Sequence, residues 1–376
     1  MLPTVFISPL TNLFISFFLR FAIEKVQFEE QMVSFEMQTK HNGVGYSFFF
    51  KKNLQSSFLL TLIIISEAFD YVCFYAKVFN MKTYTLNVPV TQEMDDWFSF
   101  IDIELYNLHS TSNLNLLIVD FQTVGFLQTD DFVVLACLIE LFSQKGCEIE
   151  FTGGTTKFNH HLFNIKFKEY WKQGFNREEF TIAHNQNTLC LWKINRERIE
   201  PYSHFAEEYF KSNFLENKNI LPFASNLTEV FNNIFDHSKA SVSYIITQYF
   251  PKVKELSFSL CDFGIGIPSS VNSYLSRNGQ PVLEDWDAIQ KAIQLGFSVK
   301  SIPRNQGRGL DNLLSMVESL NGTILIISNN GVLQRSPGNK MKVGSFGYNF
   351  SGTLIKVIIK KEAFETEDNE ELTWGF

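Results

Sequence analysis

Residues 261–268 read Cys-Asp-Phe-Gly-Ile-Gly-Ile-Pro and directly follow an apolar run at 256–260 that predicts a β-strand. Asp262 therefore stands at the end of a buried strand, where a carboxylate requires a hydrogen-bond donor. Gly264 and Gly266 let the backbone adopt unusual conformations and approach a ligand closely. The exocyclic amine of adenine is a suitable donor for such a carboxylate. A tight turn that uses Asp262 as its local turn former is the alternative explanation of the same residues.

A helix is predicted upstream, at residues 223–237. Its apolar residues recur at the spacing of one buried stripe, namely Leu227, Val230, Phe231, Ile234 and Phe235. Glu229, Asn233 and His237 follow one another at intervals of four residues, which places them along one side of the same helix. A carboxylate can orient or deprotonate an attacking hydroxyl, and an amide oxygen is a ligand that Mg²⁺ accepts. A polar helix face without a function has the same spacing.

Two further turns have the composition of ligand-binding loops. Residues 305–310 read Asn-Gln-Gly-Arg-Gly-Leu and lead into a predicted helix at 311–320. Backbone N–H groups and the positive end of a helix attract phosphate, and Lys300, Arg304 and Arg308 add positive charge. Ser-Gly-Thr at 351–353 comes directly before a predicted strand. Taken singly, each pattern is also typical of an ordinary turn.

The order of the four patterns resembles the GHKL superfamily of ATPases, which includes histidine kinases, gyrase, Hsp90 and MutL. The resemblance covers residues 222–360 and implies an α/β sandwich, with helices on one face of a mixed sheet, that binds ATP and Mg²⁺. It implies that Glu229 is the catalytic carboxylate, that Asn233 is the magnesium ligand, and that Asp262 binds adenine with help from Thr353. The other residues that it places at the nucleotide are His237, Gly264, Gly266, Lys300, Gly307, Arg308, Gly309 and Leu310. Residues 269–304 would form the lid, with a helix near 286–295.

An α/β layer is predicted ahead of this region, because short apolar strands alternate with helical spacing from Met81 onward. The run at 114–154 resembles a STAS domain, the fold of anti-sigma-factor antagonists. That family carries its phosphorylated serine in an Asp-Ser-Ser-Gly turn, whereas residues 128–131 here read Gln-Thr-Asp-Asp. Thr129 is the one hydroxyl that could take the serine's place. Its acidic neighbours favour a role as a helix N-cap, and the missing motif puts phosphorylation in doubt.

The chain is therefore predicted to contain two α/β domains. We assign a STAS-like domain to 81–165, a connector to 166–200, a GHKL domain to 201–361 and an acidic tail to 362–376. Residues 1–80 differ from the rest because they hold 14 of the 40 phenylalanines. They are either upstream sequence, with translation starting at Met81, or a membrane-associated segment. Their apolar runs fall short of the about 18 residues that a membrane span needs.

Composition narrows the classes of partner. The formal net charge of −8 argues against a nucleic-acid-binding protein that relies on attraction to phosphate. Five cysteines without CxxC spacing are expected to be buried and reduced, as in the cytoplasm, rather than to form a disulfide or metal site. ATP and a protein substrate are the expected partners. Membrane contact is expected only through residues 1–80, and a homodimer remains open.

The sequence leaves three uses of ATP open. The favoured one is a serine/threonine protein kinase of the anti-sigma-factor type, because a STAS-like region lies beside the ATP-binding region. The others are an ATPase clamp that dimerises on ATP binding and an interaction module gated by nucleotide with little turnover. A sensor histidine kinase is disfavoured, since the helical stretch around His204 is too short for a two-helix dimerisation hairpin.

Overall fold

The computed structural model describes residues 82–110, 114–172, 174–176, 182–192, 196–237, 243–294 and 309–366. All of them belong to a single unit that begins at Lys82. The predictions for residues 1–80, and for the acidic tail beyond residue 366, concern segments outside the described residues.

A parallel three-stranded sheet forms the N-terminal part of the described chain. Its strands lie in the order β1 (Thr83–Asn87), β2 (Leu116–Asp120) and β3 (Glu148–Thr152). Helices α1 (Met94–Ser110) and α2 (Thr129–Ser143) connect them, because parallel neighbours need a crossover. The alternation of strands and helices predicted for this region is confirmed.

Four short elements follow β3. They are α3 (Thr156–Asn164), α4 (Phe167–Tyr170), β4 (Ile182–Asn185) and β5 (Thr188–Leu191). The last three lie in the segment predicted to be a connector, and β4 and β5 form one edge of the second sheet. Trp192 is fully buried beside them, and its indole N–H donates to the carbonyl oxygen of Ile165 over 3.0 Å. This segment therefore contributes both a sheet edge and core residues.

The second sheet has six strands in the order β4-β5-β6-β7-β9-β8. Its remaining strands are β6 (Ser243–Phe250), β7 (Glu255–Asp262), β8 (Thr323–Arg335) and β9 (Lys342–Lys360). Every pairing among these described strands is antiparallel, so the prediction of a mixed sheet is wrong for them. Three of these five pairings follow from the connections, because β4–β5, β6–β7 and β8–β9 are joined by short turns and a short turn reverses the chain.

Helices cover both faces of the six-stranded sheet. On one face lie α5 (Arg196–Asn213), α6 (Leu221–His237) and α9 (Gly309–Ser319), whose apolar residues share a core with the strands. On the other face lies α2, which packs on β6, β7 and β9. The helix-covered face implied by the resemblance is thus present, together with a second covered face that it did not imply.

Helix α2 lies between the two sheets. Its residues are apolar without interruption from Phe132 to Ile139, and the residues from Asp131 to Glu140 are all buried. A helix that is apolar on every side requires neighbours on every side. Apolar residues of β1, β2 and β3 pack on it from the parallel sheet, while residues such as Tyr244 and Cys261 pack on it from the antiparallel sheet. The two sheets consequently share one apolar core.

The N-terminus of α2 meets the antiparallel sheet through polar contacts. The Thr129 hydroxyl lies 3.1 Å from Ser257 Oγ and 2.7 Å from Ser259 Oγ, and only 1% of Thr129 is exposed. The prediction that Thr129 caps the helix is wrong, because the cap is Gln128, whose backbone N–H donates to Asp131 Oδ2 over 2.8 Å. The Thr129 hydroxyl is instead enclosed between α2 and β7.

An ion pair strengthens the same junction. Lys356 Nζ, on β9, lies 2.7 Å from Asp130 Oδ1 and 2.6 Å from Gln128 Oε1. Both charged side chains are largely buried, at 13% and 16% exposure, so removing one partner would leave the other charge poorly solvated. Burial and the charge of Asp130 raise the pKa of the neighbouring Asp131 to about 7.

Two helices occupy the described part of the predicted lid. Helix α7 (Gly266–Arg277) begins inside the glycine-rich turn, and α8 (Asp285–Ala292) matches the helix predicted near 286–295. Residues 295–308 lie outside the described residues. Across the described ranges, no helix combines the length and apolar character needed to cross a membrane. The four described cysteines are buried, as predicted.

Candidate functional site

Asp262 is a buried carboxylate at the last position of β7. None of its surface is exposed. Its Oδ1 accepts the backbone N–H of Gly264 over 2.7 Å, whereas its Oδ2 is buried and has no hydrogen-bond partner among the described residues. Burial raises the pKa of Asp262 from its ordinary value of 3.8 to about 7, although the Gly264 N–H acts in the opposite direction.

A buried carboxylate oxygen without a donor is costly for the folded protein. Leaving a buried polar group unpaired costs about 1–3 kcal/mol, and more when the group is charged. The predicted role of Asp262 as the former of a local turn accounts for Oδ1 alone. Oδ2 is therefore one of the buried side-chain oxygens at which an external hydrogen-bond donor would be favourable, and it lies beside the glycine-rich turn.

Thr353 lies beside Asp262. The two residues are directly paired across β7 and β9, and Thr353 is 5% exposed. The glycine before Thr353 lets β9 approach β7 closely. Gly352 has φ of +121°, and a Cβ there would overlap the carbonyl oxygen of Asp262. No other amino acid fits this position without moving β9 away from the carboxylate. The structure thus brings together Asp262 and Thr353, as predicted.

The turn that follows Asp262 is held by the end of β8. Gly266 has φ of +77°, and a Cβ on it would overlap the side chain of Asn329. Ser328 Oγ accepts the backbone N–H of Ile267 over 2.9 Å, and Asn329 Nδ2 donates to Ser269 Oγ over 2.9 Å. The first turn of α7 is therefore fixed against β8 at the site.

Ser328 and Asn329 were missed by reasoning from the sequence. Ser328 is fully buried and faces the same side of the sheet as Asp262 and Thr353. The available signal was weak: Ser-Asn-Asn-Gly at 328–331 interrupts an apolar run at 324–327, which suggests a bulge in a strand. The register of β8 against β9 does shift there, at Ser328/Asn329 and Asn329/Gly331. A bulge signal alone does not show which loop the side chains contact.

Helix α6 covers the same face of the sheet. The ring of Phe223, in its first turn, lies 5.5 Å from that of Phe258 on β7. The helix ends at His237, and only five residues separate it from Ser243, the strand partner of Asp262. Five residues span at most about 20 Å, so α6 runs toward the Asp262 end of the sheet.

The predicted polar side of α6 is described in part. Glu229 is half-buried in the middle of the helix. Asn233 and His237 belong to the helix, but their side chains lie outside what the structure describes. The apolar stripe is confirmed where it is described, since Leu227 and Phe231 are buried.

The predicted phosphate loop is also described only at its end. Helix α9 starts at Gly309 and packs on α6. The side chain of Leu310 packs against the apolar core that α5, α6 and α9 share with the antiparallel sheet, which fits a structural role in the first turn of α9. Lys300, Gly307 and Arg308 lie outside the described residues.

A magnesium site would rest on few protein ligands. Among the described residues, no group of three or more His, Cys, Asp or Glu side chains could hold a metal ion. Mg²⁺ bound to a nucleotide does not need such a group, because phosphates and waters supply most of its ligands. An amide from α6 together with phosphates is compatible with that chemistry.

Comparison with known proteins gives no match to any family model and none to any curated protein.

Proposed function

We propose that this chain binds ATP, with adenine at Asp262, and transfers its terminal phosphoryl group to a serine or threonine of another protein. One observation supports the proposal that the chain binds ATP: the buried Oδ2 of Asp262 has no donor among the described residues. The amine of adenine would supply that donor. Asp262, Thr353 and the two-glycine turn stand in the order of a GHKL nucleotide site, which supports the same ligand.

The position of α6 supports a catalytic role for Glu229. The helix lies on the face of the sheet that carries Asp262, and Glu229 is half-buried on it. In the proposed reaction this carboxylate accepts the proton of the attacking hydroxyl. Mg²⁺, held by Asn233 and the phosphates, would neutralise the charge of the transferred group.

The acceptor hydroxyl belongs to another molecule in this proposal. Side chains alternate along a strand, so Ser257 and Ser259 face the opposite side of β7 from Asp262. The Thr129 hydroxyl contacts those two serines and is enclosed by α2. Thr129 is therefore separated from the proposed nucleotide by the sheet itself, which argues against Thr129 of the same chain as the acceptor.

The binding proposal is tested with Asp262→Asn. Because Gly264 N–H holds one side-chain oxygen, the new amide group takes the place of Oδ2 and turns N–H groups toward the adenine amine. We expect ATP affinity, measured by calorimetry with Mg²⁺, to fall at least about a hundredfold.

The matched control is Asp120→Asn. Asp120 also ends a strand and also accepts an N–H two residues on, from Gln122 over 2.9 Å, but it belongs to the parallel sheet. This variant should bind ATP like the wild-type protein. Unchanged affinity in Asp262→Asn, or absence of ATP binding by the wild-type protein, would refute the proposed site.

A further inference from the structure

Ser328 occupies a junction between three parts of the candidate site. It is fully buried on β8. Its Oγ lies 2.6 Å from the carbonyl oxygen of Gly352, 2.9 Å from the backbone nitrogen of Ile267 and 3.2 Å from Thr353 Oγ1. One hydroxyl thus links the glycine-rich turn, the β9 glycine and the threonine beside Asp262.

The proton of Ser328 can be assigned from these partners. A carbonyl oxygen only accepts, so the single hydroxyl proton of Ser328 goes to Gly352. The N–H of Ile267 only donates, so it takes one lone pair of Ser328. One lone pair remains for Thr353. In the contact between the two hydroxyls, Thr353 is therefore the donor and Ser328 the acceptor.

This assignment fixes what Thr353 offers to a ligand. Its only proton is used by Ser328, so Thr353 can act toward a ligand only as an acceptor. Asp262, its partner across the strands, offers the lone pairs of Oδ2 when ionised. The two neighbouring side chains consequently present acceptors alone. A base edge with an exocyclic amine, which has two N–H donors, matches them, whereas a carbonyl oxygen at the same position would face lone pairs.

We propose that Ser328 is a positioning residue that sets the base preference of the site: by holding the Thr353 proton, it makes the site select a 6-amino purine over a 6-oxo purine. The inference rests on the proposed ATP site. It adds a determinant of specificity that acts through Thr353 and does not itself touch the nucleotide.

The test measures the affinities of ATP and inosine triphosphate at pH 8 for the full chain. Inosine triphosphate carries a carbonyl oxygen where ATP carries the amine. The wild-type protein should prefer ATP. Ser328→Ala should reduce the ratio of the two affinities about tenfold, the effect of about one hydrogen bond, because Thr353 is then free to donate.

A double-mutant cycle separates this role from a structural one. Thr353→Val removes the hydroxyl through which Ser328 is proposed to act, and it should lower the same ratio without Ser328 being changed. In the Thr353→Val background, Ser328→Ala should alter the ratio no further. Ser259→Ala is the matched control, because it removes a buried hydroxyl from the opposite face of the same sheet and should leave the ratio unchanged.

The outcomes distinguish the two proposals. If the wild-type protein binds ATP but Ser328→Ala weakens both nucleotides equally, Ser328 is only structural and this inference is wrong while the ATP site stands. If Ser328→Ala does not fold, an unchanged ratio in Thr353→Val overturns the inference instead. If the wild-type protein binds neither nucleotide, the proposed function fails and the inference fails with it.

Discussion

At the scale of single residues, Asp262 links the chemistry of the site to the stability of the fold. Its pKa in the folded protein, about 7, lies above its ordinary value of 3.8 because burial disfavours the charged form. Its contribution to the free energy of unfolding is fully present below pH 3.8 and is lost as the pH rises through about 7. At neutral pH the unliganded protein therefore holds a partly ionised carboxylate that a ligand donor would stabilise.

This titration predicts a pH dependence of binding. If the ionised form of Asp262 accepts the adenine amine, only about a tenth of the protein is competent at pH 6, against nearly all of it at pH 8. We expect adenosine, which has no phosphate that titrates in this range, to bind about tenfold more weakly at pH 6. Calorimetry at the two pH values measures the difference.

The control for this measurement is the variant without the titrating group. Asp262→Asn should bind weakly and equally at both pH values. Wild-type binding that is independent of pH would show that the ligand does not contact the ionised carboxylate.

Residues differ in how far the sequence alone revealed their roles. The position of Asp262 at a strand end and the tight turn at Gly266 could be predicted, because a charged residue after an apolar run and a glycine shortly after it are local signals. Ser328 could not, since its importance comes from β9 and α7, which are distant in sequence. Thr129 was placed at the start of the correct helix but given the wrong role, because the serines that bind its hydroxyl lie 128 and 130 residues away.

At the scale of elements, α6 carries the proposed catalytic function. Its apolar residues bury one side against the sheet, and Glu229 stands on the neighbouring side. Helical spacing was sufficient to predict this arrangement. We expect Glu229→Ala to bind ATP within about twofold of the wild-type protein and to lose phosphoryl transfer about 10²–10⁴-fold, the usual range for a general base.

The measurement uses γ-labelled ATP and Mg²⁺ with cell extract, following labelled protein and free phosphate. Label on a serine or threonine that disappears in Glu229→Ala supports the kinase reaction. Free phosphate without labelled protein favours the ATPase clamp, and full activity of the variant removes Glu229 from the mechanism. Glu208→Ala, an exposed carboxylate on α5, is the matched control and should transfer phosphate normally.

Elements whose environment is set by distant segments were harder to predict. The apolar sequence of α2 showed that it is buried, yet it did not show that two different sheets enclose it. The strands β4 and β5 have four residues each and lie in a polar stretch, so neither had a clear signal. They form because β6 offers a free edge on which β5 pairs.

At the scale of the whole molecule, the described residues form a sheet–helix–sheet arrangement with α2 in the middle. Two domains were predicted from the sequence, each with its own core. In the structure, one apolar core includes residues of both the parallel and the antiparallel sheet. Separating the two sheets would expose one apolar side of α2.

A shared core predicts cooperative unfolding. In hydrogen exchange at increasing urea, we expect amides of β2 and of β7 to lose protection at the same denaturant concentration. Ser259→Ala, which removes a hydroxyl from the contact between α2 and β7, should lower both midpoints by the same amount. Loss of protection in β2 well before β7 would contradict a shared core and favour two independent domains.

Side chains alternate between the two faces of the sheet along β7, so an insertion or deletion within the strand would change which residues face each side. Odd-numbered residues of this strand face α2, and even-numbered residues face the core under α6, up to Cys261 and Asp262. A slip of one position would exchange the two sets, turning the carboxylate into the dry contact with α2 and leaving a thiol in its place. The loss of one residue within the strand therefore cannot be absorbed by sliding. A deletion in the exposed turn at 251–254 would shorten the turn and leave this register intact.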